Sequence, residues 1–221
     1  MTSSVPRAQL LARGPWAPEC VRATWREERY EPEPAGAAAA DAAIAALADR
    51  GSPSHDGWAA RLATFEDDDG ELRLELQPAR WALRLVPEHA AGSFSALCVV
   101  RDAEGRWLAG RRASWLASWS ERWALGAGGS VEVGEDPTQT LVRELDEEWS
   151  VAPERLSVEA LVGMTSGIVL LVGLAWLPAG AEVVRDDEHD EHAWWPAAVD
   201  QWPAEGDEPL RRIAALLTER Q

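Results

Sequence analysis

"GGSVEVGEDPTQTLVRELDEEWSV", residues 128–151, decides how the rest of the chain is read. It opens on a glycine turn and continues as a helix. Asp136 is placed to cap that helix, Pro137 suits its first position, and the apolar residues that follow recur at helical spacing. At about 100° per residue, Glu144, Glu147 and Glu148 fall within one arc of roughly 100°, while Leu141, Val142, Leu145 and Trp149 form another stripe. One face is therefore expected to be core and the other carboxylate. Three like charges at i, i+3 and i+4 destabilise a bare helix by a few tenths of a kcal/mol per pair, so something cationic should hold them together. A hard divalent ion suits the set, because Mg2+ and Mn2+ take oxygen ligands from carboxylates and from the backbone of a nearby turn. Arg143, four residues before Glu147, is close enough to orient a carboxylate. A solvated acidic face is the plain alternative in so acidic a chain, and three helical glutamates do not by themselves decide between the two.

The composition narrows the choice of partners. A chain of 221 residues with 46% hydrophobic content can build one large domain, or a core domain with a smaller neighbour. Its formal charge of -17 argues against non-specific binding to nucleic acid and against an anionic membrane surface, since both need a basic face. Any phosphate-bearing ligand must then be held by local arginines or by metal. Cys20 and Cys98 are the only cysteines, too few for a disulfide framework, and Cys98 sits in the apolar run "FSALCVV". The longest apolar stretch, Gly167 to Leu177, is too short to span a bilayer, and no signal-like segment opens the chain, so a cytoplasmic protein is expected. Thirteen tryptophans exceed ordinary usage, so some should be core and some should line a cavity.

Residues 1 to about 34 show no sustained period and read as an irregular lead-in, with room for a short strand or helix near "CVRATWREERY". The alanine-rich run from about Ala37 to Asp49 reads as a packing or spacer helix. Between Trp58 and Gln77, Leu72, Leu74 and Leu76 alternate with charged residues around an acidic turn, as in a hairpin with one buried face. "FSALCVVRDAEGRWLAGRR" reads as a second hairpin, Glu159–Thr165 and Ile168–Leu177 as two more strands, and "EPLRRIAALLTER" as a closing helix. Strands flanking one marked helix, with another at the end, indicate an α/β or α+β sandwich.

A wider spacing identifies the helix. Gly129, five residues, Glu135, seven residues, then Arg143-Glu144-Leu145, any residue, Glu147-Glu148, any residue, Ser150 and Val151 closely resembles the Nudix box, with Ser150 where the family usually has Gly. The resemblance covers the box directly and, through strand order, roughly residues 93 to 221. It implies a Nudix-type mixed β-sheet sandwiched between helices over residues 91–221, preceded by a β-containing extension at 1–90. It also implies Mg2+- or Mn2+-dependent hydrolysis of a diphosphate bond in a nucleotide or a related nucleoside-diphosphate-linked molecule. Carried over by position, Glu144 and Glu148 would be the main metal ligands, and Glu147 a ligand or the residue orienting the attacking water. The Gly128 carbonyl would add a ligand, and Arg143 and Glu135 would organise the carboxylates. A weakly catalytic ligand-binding or regulatory module is the alternative, motivated by Ser150 and by the extension. Such extensions in the family often shape substrate choice or a homodimer.

Further residues carry open readings. Arg111 and Arg112 end a strand where the family often places a phosphate-facing base, with surface salt bridges as the alternative. Trp115, Trp119 and Trp123 recur every four residues, a spacing that would align their rings on one helical face. Trp123 is expected in the core, whereas Trp115 and Trp119 lie in a loop that can border the pocket and stack on a base, or can themselves be core. "DDEHDEHAWWP", from Asp186 to Pro196, reads as a solvated loop leading into the last strand. The resemblance makes Glu188 and Glu191 candidates for the group that completes the site or acts as general base.

Overall fold

Long apolar strands gather into a mixed eight-stranded sheet in the computed structural model, which describes residues 8–90 and 92–218. In chain order the elements are β1 (Gln9–Trp16), β2 (Val21–Trp25), α1 (Pro34–Asp49), β3 (Trp58–Asp68), β4 (Glu71–Arg80), β5 (Phe94–Arg101), β6 (Trp107–Arg112), β7 (Trp123–Leu125) and β8 (Ala127–Ser130). They continue with α2 (Pro137–Trp149), β9 (Arg155–Gly163), β10 (Val169–Trp176), β11 (His189–Trp195) and α3 (Glu208–Thr218). The main sheet runs β1-β9-β10-β5-β6-β11, with β8 attached to β5 and β7 to β6. Its central strands, β5 and β10, pair in parallel from Phe94↔Val169 to Arg101↔Trp176. They are apolar nearly throughout because protein covers both of their faces.

One face of the sheet packs Ala96, Cys98 and Val100 against Leu141, Leu145 and Trp149 of α2. The opposite face packs Val99, Trp107, Ala109 and Val172 against Leu210 and Ala214 of α3, with Trp195 and Trp202 filling the gap. The expected sandwich of a mixed sheet between helices is thus the observed one. Trp107, Trp195 and Trp202 account for part of the tryptophan excess, with Trp195 and Trp202 ring centroids 5.1 Å apart. The predicted closing helix is α3, and its last two predicted residues, 219 and 220, lie outside the described ones. No helix among the described residues is long and apolar enough to cross a membrane.

The N-terminal region builds a second sheet, β2-β4-β3, in which β3 and β4 form the predicted hairpin around Asp69 and Gly70, both at positive φ. Leu72, Leu74 and Leu76 point from β4 into the same core as Phe94, Leu145 and Trp149. The alanine-rich helix α1 buries Ala40 against Ala79, Ala82 and Leu83.

Four expectations are corrected. The lead-in is not irregular throughout, because β1 pairs antiparallel with β9 at the edge of the main sheet. Only Ala12 and Trp16 of β1 are buried, so the strand carries no alternating apolar pattern, and its Pro15 is of a kind that edge strands tolerate. The second hairpin is registered only at Arg101↔Trp107, since β8 occupies the side of β5 while β7 and β11 take up β6. Residues 113–122 form turns and no helix, so the four-residue tryptophan spacing is not a helical face. The acidic, histidine-rich stretch is already strand β11 from His189 onward.

Candidate active site

The short strand β8 lies against β5, with Ser95↔Ser130, Ala96↔Gly129 and Leu97↔Gly128 in register. The chain then turns through Gly134, at φ 87°, and enters α2, where the Asp136 carboxylate accepts the Thr138 N–H at 2.8 Å. Helix α2 thereby lies directly over the glycines of β8. A Cβ at Gly129 would stand 2.2 Å from Glu144 Oε1, so only glycine leaves room for that carboxylate. The Gly128 N–H donates to Glu148 Oε1 at 2.9 Å. At the far end of α2, Trp149 Nε1 donates to the Gly126 carbonyl at 3.0 Å and locks the helix onto the sheet.

The helix does not divide into a core face and a carboxylate face as its sequence suggests. Its buried stripe is Pro137, Thr140, Leu141, Glu144, Leu145, Glu148 and Trp149, while Val142, expected in the core, is exposed. Glu144 and Glu148 are only 8% and 3% exposed, and Glu147 alone of the three is turned outward. Burying carboxylates is costly unless another charge or hydrogen bond compensates. Burial pushes Glu144 up to about 7 against the pull of Arg143, with Glu147 raising it further. It also lifts Glu148 well above the usual carboxylate range against the Gly128 N–H, with Glu144 adding to the rise.

Arg143 organises this group. Its Nε and Nη2 donate to the two oxygens of Glu135 at 2.9 and 3.2 Å, a bidentate fork. Its Nη1 lies 2.8 Å from both Glu144 Oε1 and Glu147 Oε2, and Nη2 also reaches the Ser130 carbonyl at 3.3 Å. Burial works against the charge on Glu135, but the Arg143 hydrogen bond and the Glu132 N–H hold it below the usual range.

The other wall is the start of β11 and the end of β6. His189, 1% exposed, stacks on Trp149 with centroids 4.4 Å apart, and its Nε2 lies 3.6 Å from Glu148 Oε2. Gly110 makes this possible, since a Cβ there would come within 2.3 Å of the imidazole. Burial, then Arg112 and Arg185, push His189 down to about 4, so it is neutral near pH 7. Arg112 Nη2 lies 3.5 Å from Glu188 Oε2. Burial raises Glu188, Arg112 opposes the rise, and Asp186 and Glu147 add to it.

Three buried atoms around this site, Glu148 Oε2, His189 Nε2 and Arg112 Nε, have no hydrogen-bond partner. Orphaned buried polar atoms of this kind are rare in folded chains and ask for a ligand. Among the described residues no three or more His, Cys, Asp or Glu groups are gathered into a preformed metal cluster, Glu147 being drawn to Arg143 instead. The unpartnered oxygen of Glu148 beside the buried Glu144 nevertheless fits a hard, oxygen-seeking divalent ion.

The remaining candidates separate. Arg112 shares the sheet face of Gly110, toward α2, while Arg111 alternates to the opposite face, 3.5 Å from Asp190 and 3.9 Å from Glu121. Trp119 packs with the α3-side core and lies under Arg122 at 4.3 Å. Trp115 is half-buried in the same loop, and Trp123 lies 5.5 Å from the Trp195 ring. Glu191 is exposed, in register with Arg111. Sequence reasoning missed His189, whose pairing with Trp149 depends on Gly110, and Arg84, which arrives from outside the box.

A family model described as NUDIX domain matches residues 93–217. Among curated proteins none matches the chain in sequence. Among solved structures the chain is similar to a MutT NUDIX hydrolase from Burkholderia pseudomallei, at 23% identity over 57% of this chain and 98% of that one, with a TM-score of 0.46. It is also similar to a C. elegans Ap4A hydrolase, at 21% identity over 56% and 92% with a TM-score of 0.44. A third is the M. smegmatis Nudix hydrolase RenU, at 22% identity over 76% and 99% with a TM-score of 0.41.

Proposed function

The chain belongs to the Nudix hydrolase family, and we propose on that premise that it hydrolyses a diphosphate bond in a nucleotide or a related nucleoside-diphosphate-linked small molecule, with Mg2+ or Mn2+. The observation that carries this reading is the pair of buried carboxylates, Glu144 and Glu148, set against the Gly128–Gly129 backbone with Glu148 Oε2 unpartnered. A divalent ion held there would neutralise the diphosphate and make water nucleophilic at neutral pH.

The chain's own groups divide the remaining work. Glu144 and Glu148 would hold the ion together with the Gly128 backbone, and Glu147 would join them or orient water. Arg143, fixed by its fork to Glu135, keeps the carboxylates aligned and their mutual repulsion in check. Arg112 faces the phosphates, and Glu188 beside it, already lifted by burial, takes a proton at a carboxylate oxygen. Trp115 is the loop indole left to stack on a planar group. The two free cysteines suit the reducing cytoplasm we assign to the protein.

The alternative of a weakly catalytic module was motivated by Ser150. This residue takes the left-handed conformation, φ 52° and ψ 41°, and still closes the helix through its N–H to the Asp146 carbonyl. The departure therefore leaves the carboxylates in place. Formation of the two phosphorylated products should be followed chromatographically, with and without Mg2+, over nucleotide sugars, dinucleotides, nucleoside triphosphates and CoA esters. Metal-dependent turnover of one class is expected, with a loss of about 100-fold or more in Glu148→Gln. Wild-type rates in that variant, or no turnover of any class, would sink the reading.

A further inference from the structure

We propose that Arg84, from the region before the Nudix domain, and Arg112, from β6, form a two-guanidinium clamp on the substrate's diphosphate. The proposal rests on the hydrolase reading above and names a recognition group that lies outside the residues matching the family model, 93–217.

Beyond β4 the chain makes a 3₁₀ turn, Trp81–Leu85, that folds back against β8. Arg84 Nη1 donates to Ser130 Oγ, and Trp81 Nε1 donates to the same oxygen at 3.1 Å. Ser130 follows Gly129, the residue pressed against Glu144, and its carbonyl accepts from Arg143. A single serine thus ties the N-terminal guanidinium to the group that carries the carboxylates.

The charge on Arg84 is poorly compensated. Among the described residues it has no ion pair, only a neutral hydroxyl and the face of Trp81 at 5.6 Å. Burial, then repulsion from Arg112, push its pKa down to about 10, with Glu144 opposing. Arg112 makes one ion pair among the described residues, to Glu188 at 3.5 Å, and its Nε is buried without a partner. A guanidinium without an ion pair, tied through Ser130 to the strand that carries Gly129, is held at an energetic cost that a bridging polyanion removes, and planar forks match phosphate oxygens. The hollow beside Arg84, bounded by Ala60, Ser93, Phe94 and Ser130, is only about 10 Å³. That is room for about one water molecule.

Inorganic pyrophosphate is the probe, titrated calorimetrically with Mg2+ into the full chain and into Arg84→Gln and Arg84→Lys. Arg84→Gln should weaken binding about 10- to 100-fold, the value of one or two charge-assisted hydrogen bonds, and raise KM more than it lowers kcat. Arg84→Lys should recover part of the loss. A folded Arg84→Gln that binds pyrophosphate within about twofold of wild type overturns the proposal. Should that variant not fold, Arg112→Gln supplies the same comparison, and unchanged binding there overturns it equally. Arg84-dependent pyrophosphate binding in a protein that turns over no diphosphate would leave the clamp standing and refute the hydrolase reading instead.

Discussion

Replacing Gly129 by Ala tests whether the box backbone is built around a carboxylate. A Cβ at that position would lie 2.2 Å from Glu144 Oε1 and 2.6 Å from Oε2, well inside contact distance. Because Gly129 is paired with Ala96 in the sheet, the strand is the stiffer partner and the carboxylate must yield, by about 1 Å. A carboxyl group at the end of a side chain can move that far without unfolding the protein, so stability should fall by no more than about 1 kcal/mol. Its cost should appear in function, since a misplacement of about 1 Å at a catalytic group can lower turnover by about 100-fold. The assay is kcat/KM on the best substrate of the panel, beside Mn2+ affinity by calorimetry and the unfolding midpoint in urea. Turnover and Mn2+ affinity both within about threefold of wild type would show that Glu144 needs no defined place, and would refute the argument.

Three further outcomes follow from the same helix. Burial lifts Glu144 in the folded protein to about 7, above the ordinary 4.5 of the free carboxyl, so between those limits the folded protein keeps a proton that the unfolded chain has released. Metal-free stability from this group is therefore full below about pH 4.5 and lost as pH rises through about 7; Glu144→Gln should gain stability over wild type at about pH 8 and not at about pH 4. Mn2+ must displace that proton, so its affinity should rise over the same window with proton release, and pH-independent binding would contradict the assignment. Ser150→Gly removes a left-handed serine at the helix end and should stabilise by up to about 1 kcal/mol in urea unfolding, with activity unchanged. Destabilisation there would mean that the serine makes a contact this geometry does not include.

How much of this could be read from the residues differed by region. The box was legible because its spacing is a local property: Asp136, Pro137 and the apolar recurrence set the helix, and the glutamates ride on it at fixed angles. What periodicity could not show is which angular sector the sheet covers. The covered sector takes in Glu144 and Glu148 and leaves Val142 outside, the reverse of what hydrophobicity alone would choose. Strand β1 escaped notice for a related reason, since an edge strand with two buried residues has little pattern to display. The partnership of His189 with Trp149, and of Arg84 with Ser130, joins residues 40 or more apart in sequence; nothing local announces either contact.

The pairing of Gln9 with Gly163 has a consequence for how the molecule is made. The first described strand emerges from the ribosome long before the strand it lies against, and the acquisition of native structure at this edge must wait until most of the polypeptide has been synthesised. Contacts of such long sequence separation slow folding, and in the interval each partner presents an open row of backbone donors and acceptors to other chains. Expressing only the part that matches the family model would make that interval permanent for β9, so the shortened polypeptide should tend to self-associate even if its catalytic groups assemble correctly.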